Sequence, residues 1–135
     1  MLRSFLPYKA LLIKRSAIWL WLFATQDIRK WQKIIEYTWQ KVATSVADRV
    51  GGKYLFTVNS RYTIIGTWHH NRARYINHSC IPNCEPREVR WHIIISAIKN
   101  IVAGDELTYN YGKDYFDRII KPLWCRCIKC SKIYK

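Results

Sequence analysis

The chain has 135 residues, of which 50% are hydrophobic, so it is long enough for one domain with a buried core. Its formal net charge is +14, which favours an anionic partner such as nucleic acid but equally fits a basic surface that only keeps the protein in solution. The five cysteines are odd in number and cluster near the C-terminus, which argues against a secreted disulfide framework.

The N-terminal part alternates basic and apolar stretches. Residues 1–15 are predicted to form a basic, partly ordered lead-in. Residues 18–24 and 33–37 have the apolar, β-branched and aromatic composition of strands. The first of these apolar runs is far shorter than the roughly 20 residues that a membrane-spanning helix needs, so we expect no membrane anchor.

The middle of the chain combines helix and strand signals. In residues 40–50, apolar side chains recur at helical spacing, and Gly51 is placed to end that predicted helix. Residues 54–58 and 62–65 read as two strands joined by a turn, and residues 89–98 give the strongest signal for a buried strand.

The C-terminal part adds a short predicted strand at residues 107–109 and a basic, cysteine-rich segment at residues 113–135. No internal repeat and no low-complexity segment is present in the sequence. The pattern predicts a mainly β domain with short helices, which is an α+β fold.

The densest polar stretch is ARYINHSCIPNC, residues 73–84. It holds more hydrogen-bonding and ligating groups than an ordinary loop, and Pro82 would make its turn rigid. Three interpretations stay open from these residues alone: a surface loop with one satisfied histidine, a Cys–His nucleophile pair, and the glycosylation triplet that begins at Asn77.

A second stretch, AGDELTYNYG at residues 103–112, alternates Tyr109 and Tyr111 around one asparagine. In a strand, both rings would point to the same face and could line a narrow slot for an aliphatic chain that carries an amine. Two aromatic side chains in the core explain these residues equally simply, and on this stretch alone that interpretation is favoured.

The third stretch is a CxCxxC cluster formed by Cys125, Cys127 and Cys130. Thiolates at this spacing are typical of zinc held by four sulfurs, and the fourth ligand would come from Cys80 or Cys84. The alternative is a set of free thiols.

Together these stretches resemble the SET-domain protein lysine methyltransferases. ARYINHSCIPNC is similar to the asparagine–histidine signature loop of that family, GDELTYNYG to its catalytic-tyrosine strand, and the cysteine cluster to its post-SET zinc site. Upstream, LFATQDI, KIIEYT and ADRVGGKYLF also match, so the resemblance spans roughly residues 16–130. The compact tail resembles that of short, single-domain microbial members.

The resemblance implies the SET fold, with several small sheets, a knot-like threading of the C-terminal segment and a zinc-binding tail. It divides the chain into the lead-in at residues 1–15, a SET domain at residues 16–112 and a post-SET-like tail at residues 113–135. S-adenosyl-L-methionine would enter one side of the domain and the substrate lysine the other.

The resemblance also implies roles for particular residues. Tyr111 matches the catalytic tyrosine, and Tyr109 the position that tunes the number of methyl groups, where a tyrosine favours fewer. The implied cofactor-binding residues are Trp19, Leu20, Trp21, Arg74, Tyr75, Asn77, His78, Tyr111 and Trp124. The implied lysine channel is lined by Tyr37, Tyr54 and Tyr109. Structural zinc would be held by Cys80, Cys125, Cys127 and Cys130, with Cys84 left as a core thiol.

The sequence departs from the family in its glycines. Trp19 and Trp21 stand where the family's cofactor loop has glycines, which let the backbone approach the cofactor closely, and Trp31 and Trp39 also stand at glycine positions. Two hypotheses follow. Either the loop has been rebuilt and the chain is a catalytically impaired SET-like binding module, or the sequence carries glycine-to-tryptophan errors, which need one base change in a codon.

The resemblance implies a lysine-containing protein as substrate, whether histone-like, ribosomal or of another kind. Nucleic acid could bind through the basic surface, and a basic nucleic-acid-binding zinc protein is a weaker third hypothesis. The chain would act as a monomer or homodimer. Its location would be cytoplasmic if the source is microbial, and nuclear or on chromatin if the source is eukaryotic or viral.

Overall fold

The structure, a computed structural model, describes residues 5–15, 20–38, 40–51, 54–67, 70–90 and 92–113. The strands in these ranges are β1 (Leu11–Arg15), β2 (Leu20–Ala24), β3 (Lys33–Tyr37), β4 (Gln40–Ala43), β5 (Leu55–Thr57), β6 (Tyr62–Ile65), β7 (Asn77–His78), β8 (Cys84–Val89), β9 (His92–Ala97) and β10 (Thr108–Tyr109). They are accompanied by one α-helix, α1 (Thr44–Val50), and by two 3-10 turns, Tyr8–Ala10 and Arg72–Tyr75. The predicted mainly β fold with short helices is confirmed.

The strands form four small sheets. β1 and β2 make an antiparallel pair, β9 lies between β3 and β8, and β6 lies between β4 and β5. β7 and β10 form a two-stranded parallel pair, although 29 residues of chain separate them, from residue 79 to residue 107. This last pair matters most for the site, because it joins two distant stretches of the sequence side by side.

The core is built from the inward faces of these sheets. β9 is buried along almost its whole length because it is the central strand of its sheet, and its Ile95 is fully buried. β2 alternates instead, with Leu22 and Ala24 in the core. Arg72 ties the first strand to the domain by donating a hydrogen bond to the carbonyl of Leu11 at 3.1 Å.

Several predicted elements are confirmed and others differ. The predicted strands around β2, β3, β5, β6 and β9 are present, and Gly51 ends α1 with a φ of 65°. The predicted helix at residues 40–50 begins only at Thr44, because the preceding residues pair with β6 as β4.

Besides β4, the sequence prediction missed β1, β7 and β8. The predicted lead-in at residues 1–15 contains β1, which pairs with β2 at every one of its five residues. β8 carries Pro86 and several charged side chains, which is unusual for a strand, but it lies at the edge of its sheet, where a proline is tolerated. No helix in the described ranges is long and apolar enough to cross a membrane.

The turn before β3 has a backbone conformation that suits glycine. Trp31 has a φ of 73°, which lies in the left-handed region, and its ring is largely exposed. Its backbone N–H donates to the carbonyl of Ala97 at 2.8 Å, so this conformation is anchored to β9. The prediction that Trp31 stands at a glycine position therefore agrees with the backbone geometry of this turn.

Candidate active site

The parallel pair of β7 and β10 joins the signature loop to the tyrosine strand. Asn77 lies opposite Thr108 and His78 opposite Tyr109, and the backbone N–H of Ser79 donates to the carbonyl of Tyr109 at 3.1 Å. Two motifs that are about thirty residues apart in the chain thus share one ladder of backbone hydrogen bonds.

His78 connects this ladder to Tyr111. Its Nδ1 accepts a hydrogen bond from the backbone N–H of Tyr111 at 3.1 Å, so in the neutral ring the proton is on Nε2. Nε2 lies 3.4 Å from the Sγ of Cys80, and the sulfur can accept a hydrogen bond from the Nε2–H. Burial lowers the pKa of His78, which keeps the ring neutral near pH 7 and preserves this arrangement.

The two tyrosines contact each other. Their ring centroids are 4.8 Å apart, Tyr109 is buried, and Tyr111 is partly exposed. The hydroxyl of Tyr111 donates to the carbonyl of Ile76 at 2.5 Å, so that hydroxyl has a fixed orientation. Tyr111 lies just beyond β10 and not inside it, yet the predicted proximity of the two rings is confirmed.

A row of aromatic rings continues from Tyr109 into the domain. Phe56 lies 6.2 Å from Tyr109 and 5.3 Å from Tyr37, measured between ring centroids. Phe56 was missed as a site residue, although it lies in the predicted strand at residues 54–58 and in the observed β5. The row offers an apolar wall on which an aliphatic chain could pack.

Tyr37 is held in place by its neighbours. Its hydroxyl donates to the carbonyl of Tyr54 at 2.7 Å. A side chain on Gly66 would collide with it, because a Cβ there would lie 2.5 Å from the Tyr37 ring and 2.5 Å from the Nδ2 of Asn71. Glycine at this position therefore allows Tyr37 to sit against the turn.

Arg74 and Tyr75 form a second cluster. The guanidinium of Arg74 lies 4.9 Å from the ring centroid of Tyr54 and 4.7 Å from that of Tyr75, and it donates a short hydrogen bond to the Tyr75 hydroxyl. Tyr54 is predicted to line the lysine channel, and its ring centroid lies 6.4 Å from that of Tyr75. The backbone carbonyl of Tyr54 accepts the hydrogen bond from the Tyr37 hydroxyl. Tyr54 thus connects the cluster of Arg74 and Tyr75 to Tyr37 in the aromatic row.

Leu20 and Trp21, predicted to lie in the cofactor loop, are the first two residues of β2 and pair with β1. Trp21 stacks on Phe23 with centroids 6.2 Å apart, and alternation puts both rings on the face opposite Leu22. The Nε1 of Trp21 is buried and has no hydrogen-bond partner among the described residues. A buried donor left unpaired costs about 1–3 kcal/mol, so an acceptor on a bound ligand would stabilise it.

Glu106 links the strand that carries Trp21 to the signature loop. Its backbone forms an antiparallel bridge with Phe23, and its carboxylate accepts a hydrogen bond from the Nδ2 of Asn77 at 3.0 Å. The segments that hold Leu20, Asn77 and Tyr109 therefore converge. Asn77, the Arg74 guanidinium and the unpaired indole of Trp21 are hydrogen-bonding groups that could contact a polar ligand.

Two cysteines lie in the described part of the chain, and they differ in environment. Cys84 is fully buried, and burial raises the pKa of its thiol to about 12, as expected of a core thiol. Cys80 is partly exposed beside His78, so its sulfur is the one that can reach a metal.

The other three predicted zinc ligands lie outside the described residues. In the ranges that the structure describes, no three His, Cys, Asp or Glu side chains come together as a metal site requires. The predicted residues outside those ranges are Trp19, Trp124, Cys125, Cys127 and Cys130. The predicted knot-like threading and the glycine position at Trp39 also lie outside them.

Known proteins are similar to most of this chain. The family model described as SET domain matches residues 20–112. The chain is 36% identical over 123 residues to the histone-lysine N-methyltransferase trithorax of Drosophila virilis, an alignment that covers 82% of this chain and 3% of that protein.

Two fungal relatives are similar at the same level, and both are described as histone-lysine N-methyltransferase, H3 lysine-4 specific. For the Saccharomyces cerevisiae protein, the identity is 34% over 141 residues, covering 91% of this chain and 13% of the relative. For the Aspergillus oryzae protein, it is 37% over 135 residues, covering 87% of this chain and 11% of the relative. The chain thus spans only a small part of the length of these relatives.

Proposed function

Because the chain belongs to the SET-domain family of protein-lysine methyltransferases, we propose that it methylates the side-chain amine of a lysine in a histone H3 tail. The observation that carries the proposal is the β7–β10 pair, which holds the asparagine–histidine loop against the two contacting tyrosines. The names of the fungal relatives support histone H3 as the substrate class, and the chain would then act on chromatin.

S-adenosyl-L-methionine, when bound, supplies the methyl group from a sulfonium centre. Asn77, Arg74, Tyr75 and the first residues of β2 would hold it, together with Trp19 and Trp124. This cofactor is the one that the SET family uses, and its residue contacts in this chain are part of the proposal.

The reacting groups of the chain act by orientation and by excluding water. The hydroxyl of Tyr111 directs its proton to the carbonyl of Ile76, so its oxygen can act as an acceptor toward the reacting amine. The rings of Tyr37, Phe56 and Tyr109 would enclose the lysine side chain. An apolar enclosure disfavours the ammonium form of a lysine and so helps to provide the neutral amine that methyl transfer needs.

Tyr109 would limit the number of methyl groups. Its ring is buried and packs between Phe56 and Tyr111, so its hydroxyl reduces the space beside the lysine nitrogen. We therefore expect the wild-type chain to make mainly the lower methylation states.

Zinc would stabilise the C-terminal tail and take no part in the chemistry. Cys80 fits a ligand role, because its sulfur is partly exposed and faces the Nε2–H of His78, a donor that favours a thiolate. Cys125, Cys127 and Cys130 would complete four thiolate ligands, the composition of many structural zinc sites.

The charge of the chain bears on the form of the substrate. A chain of net charge +14 repels an isolated basic histone tail but is attracted to the DNA that surrounds the tail in a nucleosome. Nucleic acid would therefore contribute to recognition through the basic surface.

The experiment is to incubate the purified chain with labelled S-adenosyl-L-methionine and recombinant nucleosomes. Label that enters histone H3, and that disappears when the target lysine is replaced by arginine, supports the proposal. Absence of label in H3 with the wild-type chain would overturn it.

A second candidate function rests on Trp21. Its bulky side chain stands where the family has glycine, and its buried indole N–H has no partner in the described residues. A chain whose cofactor side is filled in this way would be a SET-like binding module without turnover. Label transfer by Trp19→Gly/Trp21→Gly, but not by the wild type, would identify the wild-type chain as this module.

A further inference from the structure

Glu106 is a half-buried carboxylate that has no part in the proposed reaction. It forms no ion pair with any residue in the described ranges, although the chain carries a net charge of +14. Its side chain instead accepts the 3.0 Å hydrogen bond from the Nδ2 of Asn77. Removing a carboxylate from water costs free energy, and here a single hydrogen bond from an amide is its side-chain partner. Glu106 is therefore a candidate for a functional role.

The main chain at Glu106 is fixed from both sides. Its carbonyl accepts a hydrogen bond from the Nδ2 of Asn83 at 2.8 Å. The next residue, Leu107, donates its backbone N–H to the carbonyl of Leu22 at 2.9 Å. Glu106 itself bridges to Phe23, so the carboxylate starts from a rigid position between β2 and β7.

The carboxylate determines which way the Asn77 amide faces. An ionised carboxylate only accepts hydrogen bonds, so it holds the NH₂ group of the amide toward itself and turns the Oδ1 away. No residue in the described ranges donates to that Oδ1. The arrangement therefore presents an amide oxygen, an acceptor, to whatever binds beside β7.

We propose that Glu106 is a positioning residue that orients the Asn77 carboxamide, so that its Oδ1 accepts a hydrogen bond from a donor group of bound S-adenosyl-L-methionine. The inference rests on the proposed function, because it assumes that the cofactor binds beside Asn77. It adds a residue whose effect passes through Asn77 and that need not touch the cofactor. A purely structural role would instead confine the effect of Glu106 to the junction of β2 and β7.

The test compares binding of S-adenosylhomocysteine, measured by calorimetry, among matched variants. Glu106→Gln preserves the shape of the side chain, but its terminal amide can donate as well as accept, so the orientation of Asn77 is no longer enforced. We expect binding to weaken about tenfold, the usual effect of losing a hydrogen bond to a charged group. Glu88→Gln, on the exposed end of β8, is the control and should leave binding unchanged.

A reciprocal exchange separates positioning from structure. Asn77→Asp alone puts two carboxylates against each other and should weaken binding more than Glu106→Gln. In the double variant Asn77→Asp/Glu106→Gln, the glutamine donates to the aspartate and the second aspartate oxygen still faces the cofactor. We expect the double variant to bind within about threefold of the wild type. A double variant no better than either single variant would overturn the proposal.

A second measurement needs no cofactor and therefore applies even if Trp19 and Trp21 weaken cofactor binding. In the NMR spectrum of the unliganded protein, we expect one Nδ2 proton of Asn77 to be shifted downfield and protected from exchange, and this signature to be lost in Glu106→Ala. Its absence in the wild type would overturn the inference. Where the wild type does not bind, the binding series is carried out in the Trp19→Gly/Trp21→Gly background.

The two failures are distinguishable. Equal affinities for the wild type and Glu106→Gln would overturn the positioning role and leave the proposed function intact. Absence of binding in both backgrounds would instead count against the proposed function, and the NMR signature would still decide whether Glu106 orients Asn77.

Discussion

The Nδ1 of His78 accepts a hydrogen bond from the backbone N–H of Tyr111 at 3.1 Å, and the two rings meet edge to face with centroids 5.4 Å apart. His78 thereby holds the main chain of Tyr111, the proposed catalytic tyrosine, in place. The opposite edge of the same ring faces the Sγ of Cys80 at 3.4 Å. One side chain thus connects the reacting tyrosine to the cysteine proposed for zinc.

Replacing Phe56 tests the aromatic row. Phe56→Leu keeps an apolar side chain but removes the ring that contacts Tyr37 and Tyr109. We expect kcat/KM for the lysine substrate to fall about tenfold, since a misplaced substrate chain loses near-attack geometry. Phe5→Leu, at an exposed position near the N-terminus, should leave the kinetics unchanged. Unaltered kinetics in Phe56→Leu would remove Phe56 from the channel.

Replacing Tyr109 by phenylalanine tests the limit on methyl number. The substitution keeps the ring that packs against Tyr111 and removes only the hydroxyl. We expect mass spectrometry of the histone product to shift from lower to higher methylation states, because more room is left beside the lysine nitrogen. An unchanged product distribution, with activity retained, would contradict the role given to this hydroxyl.

The backbone at Trp31 yields a prediction about stability. Trp31→Gly relieves the left-handed conformation at a φ of 73°, and we expect the free energy of unfolding in urea to rise by about 1 kcal/mol. Trp31→Ala is the control, since it removes the exposed ring but keeps the Cβ that strains this conformation. A glycine variant no more stable than the alanine variant would show that the left-handed backbone conformation at residue 31 does not destabilise the fold.

Glu106 gives a pH dependence with a definite sign. Burial raises the pKa of Glu106 above its ordinary value of 4.5, although the hydrogen bond from Asn77 lowers it in part. The folded chain therefore holds this proton more tightly than the unfolded chain. The resulting stabilisation is fully present below pH 4.5 and is lost as the pH rises through the pKa of the folded state.

The measurement is urea unfolding of the wild type and of Glu106→Gln, which does not titrate, at several pH values from 4 to 7. We expect the free energy of unfolding of the wild type, relative to that of the variant, to decrease steadily as the pH rises. A difference that increases with pH would mean that the pKa of Glu106 is lowered in the folded chain.

The site could be predicted from the sequence where its residues belong to contiguous motifs. Tyr109 and Tyr111 are two positions apart, so their contact follows from local spacing. Phe56 and Glu106 were missed because their importance depends on partners far along the chain. Phe56 becomes part of the site only when β5 packs near Tyr109, and Glu106 only when its carboxylate meets Asn77.

The strands also differ in whether local sequence or a distant partner determines them. The apolar strand β9 is evident from its composition, because a central strand is buried on both faces. β8 is hidden by Pro86 and its charges, which only an edge position makes acceptable. β1 is basic at its end, and its pairing with β2 is what makes it a strand. β1 and β8 could not be predicted from local sequence because pairing with distant residues makes them strands.

The most direct test of the central claim is methyl transfer to nucleosomal histone H3 by the wild type and by Tyr111→Phe. We expect the variant to lose about 100-fold or more in kcat with its fold retained by circular dichroism, because the missing hydroxyl orients the reacting groups. Tyr8→Phe, at an exposed tyrosine, should retain full activity. Equal rates for the wild type and Tyr111→Phe would contradict the account of this site as a lysine methyltransferase centre.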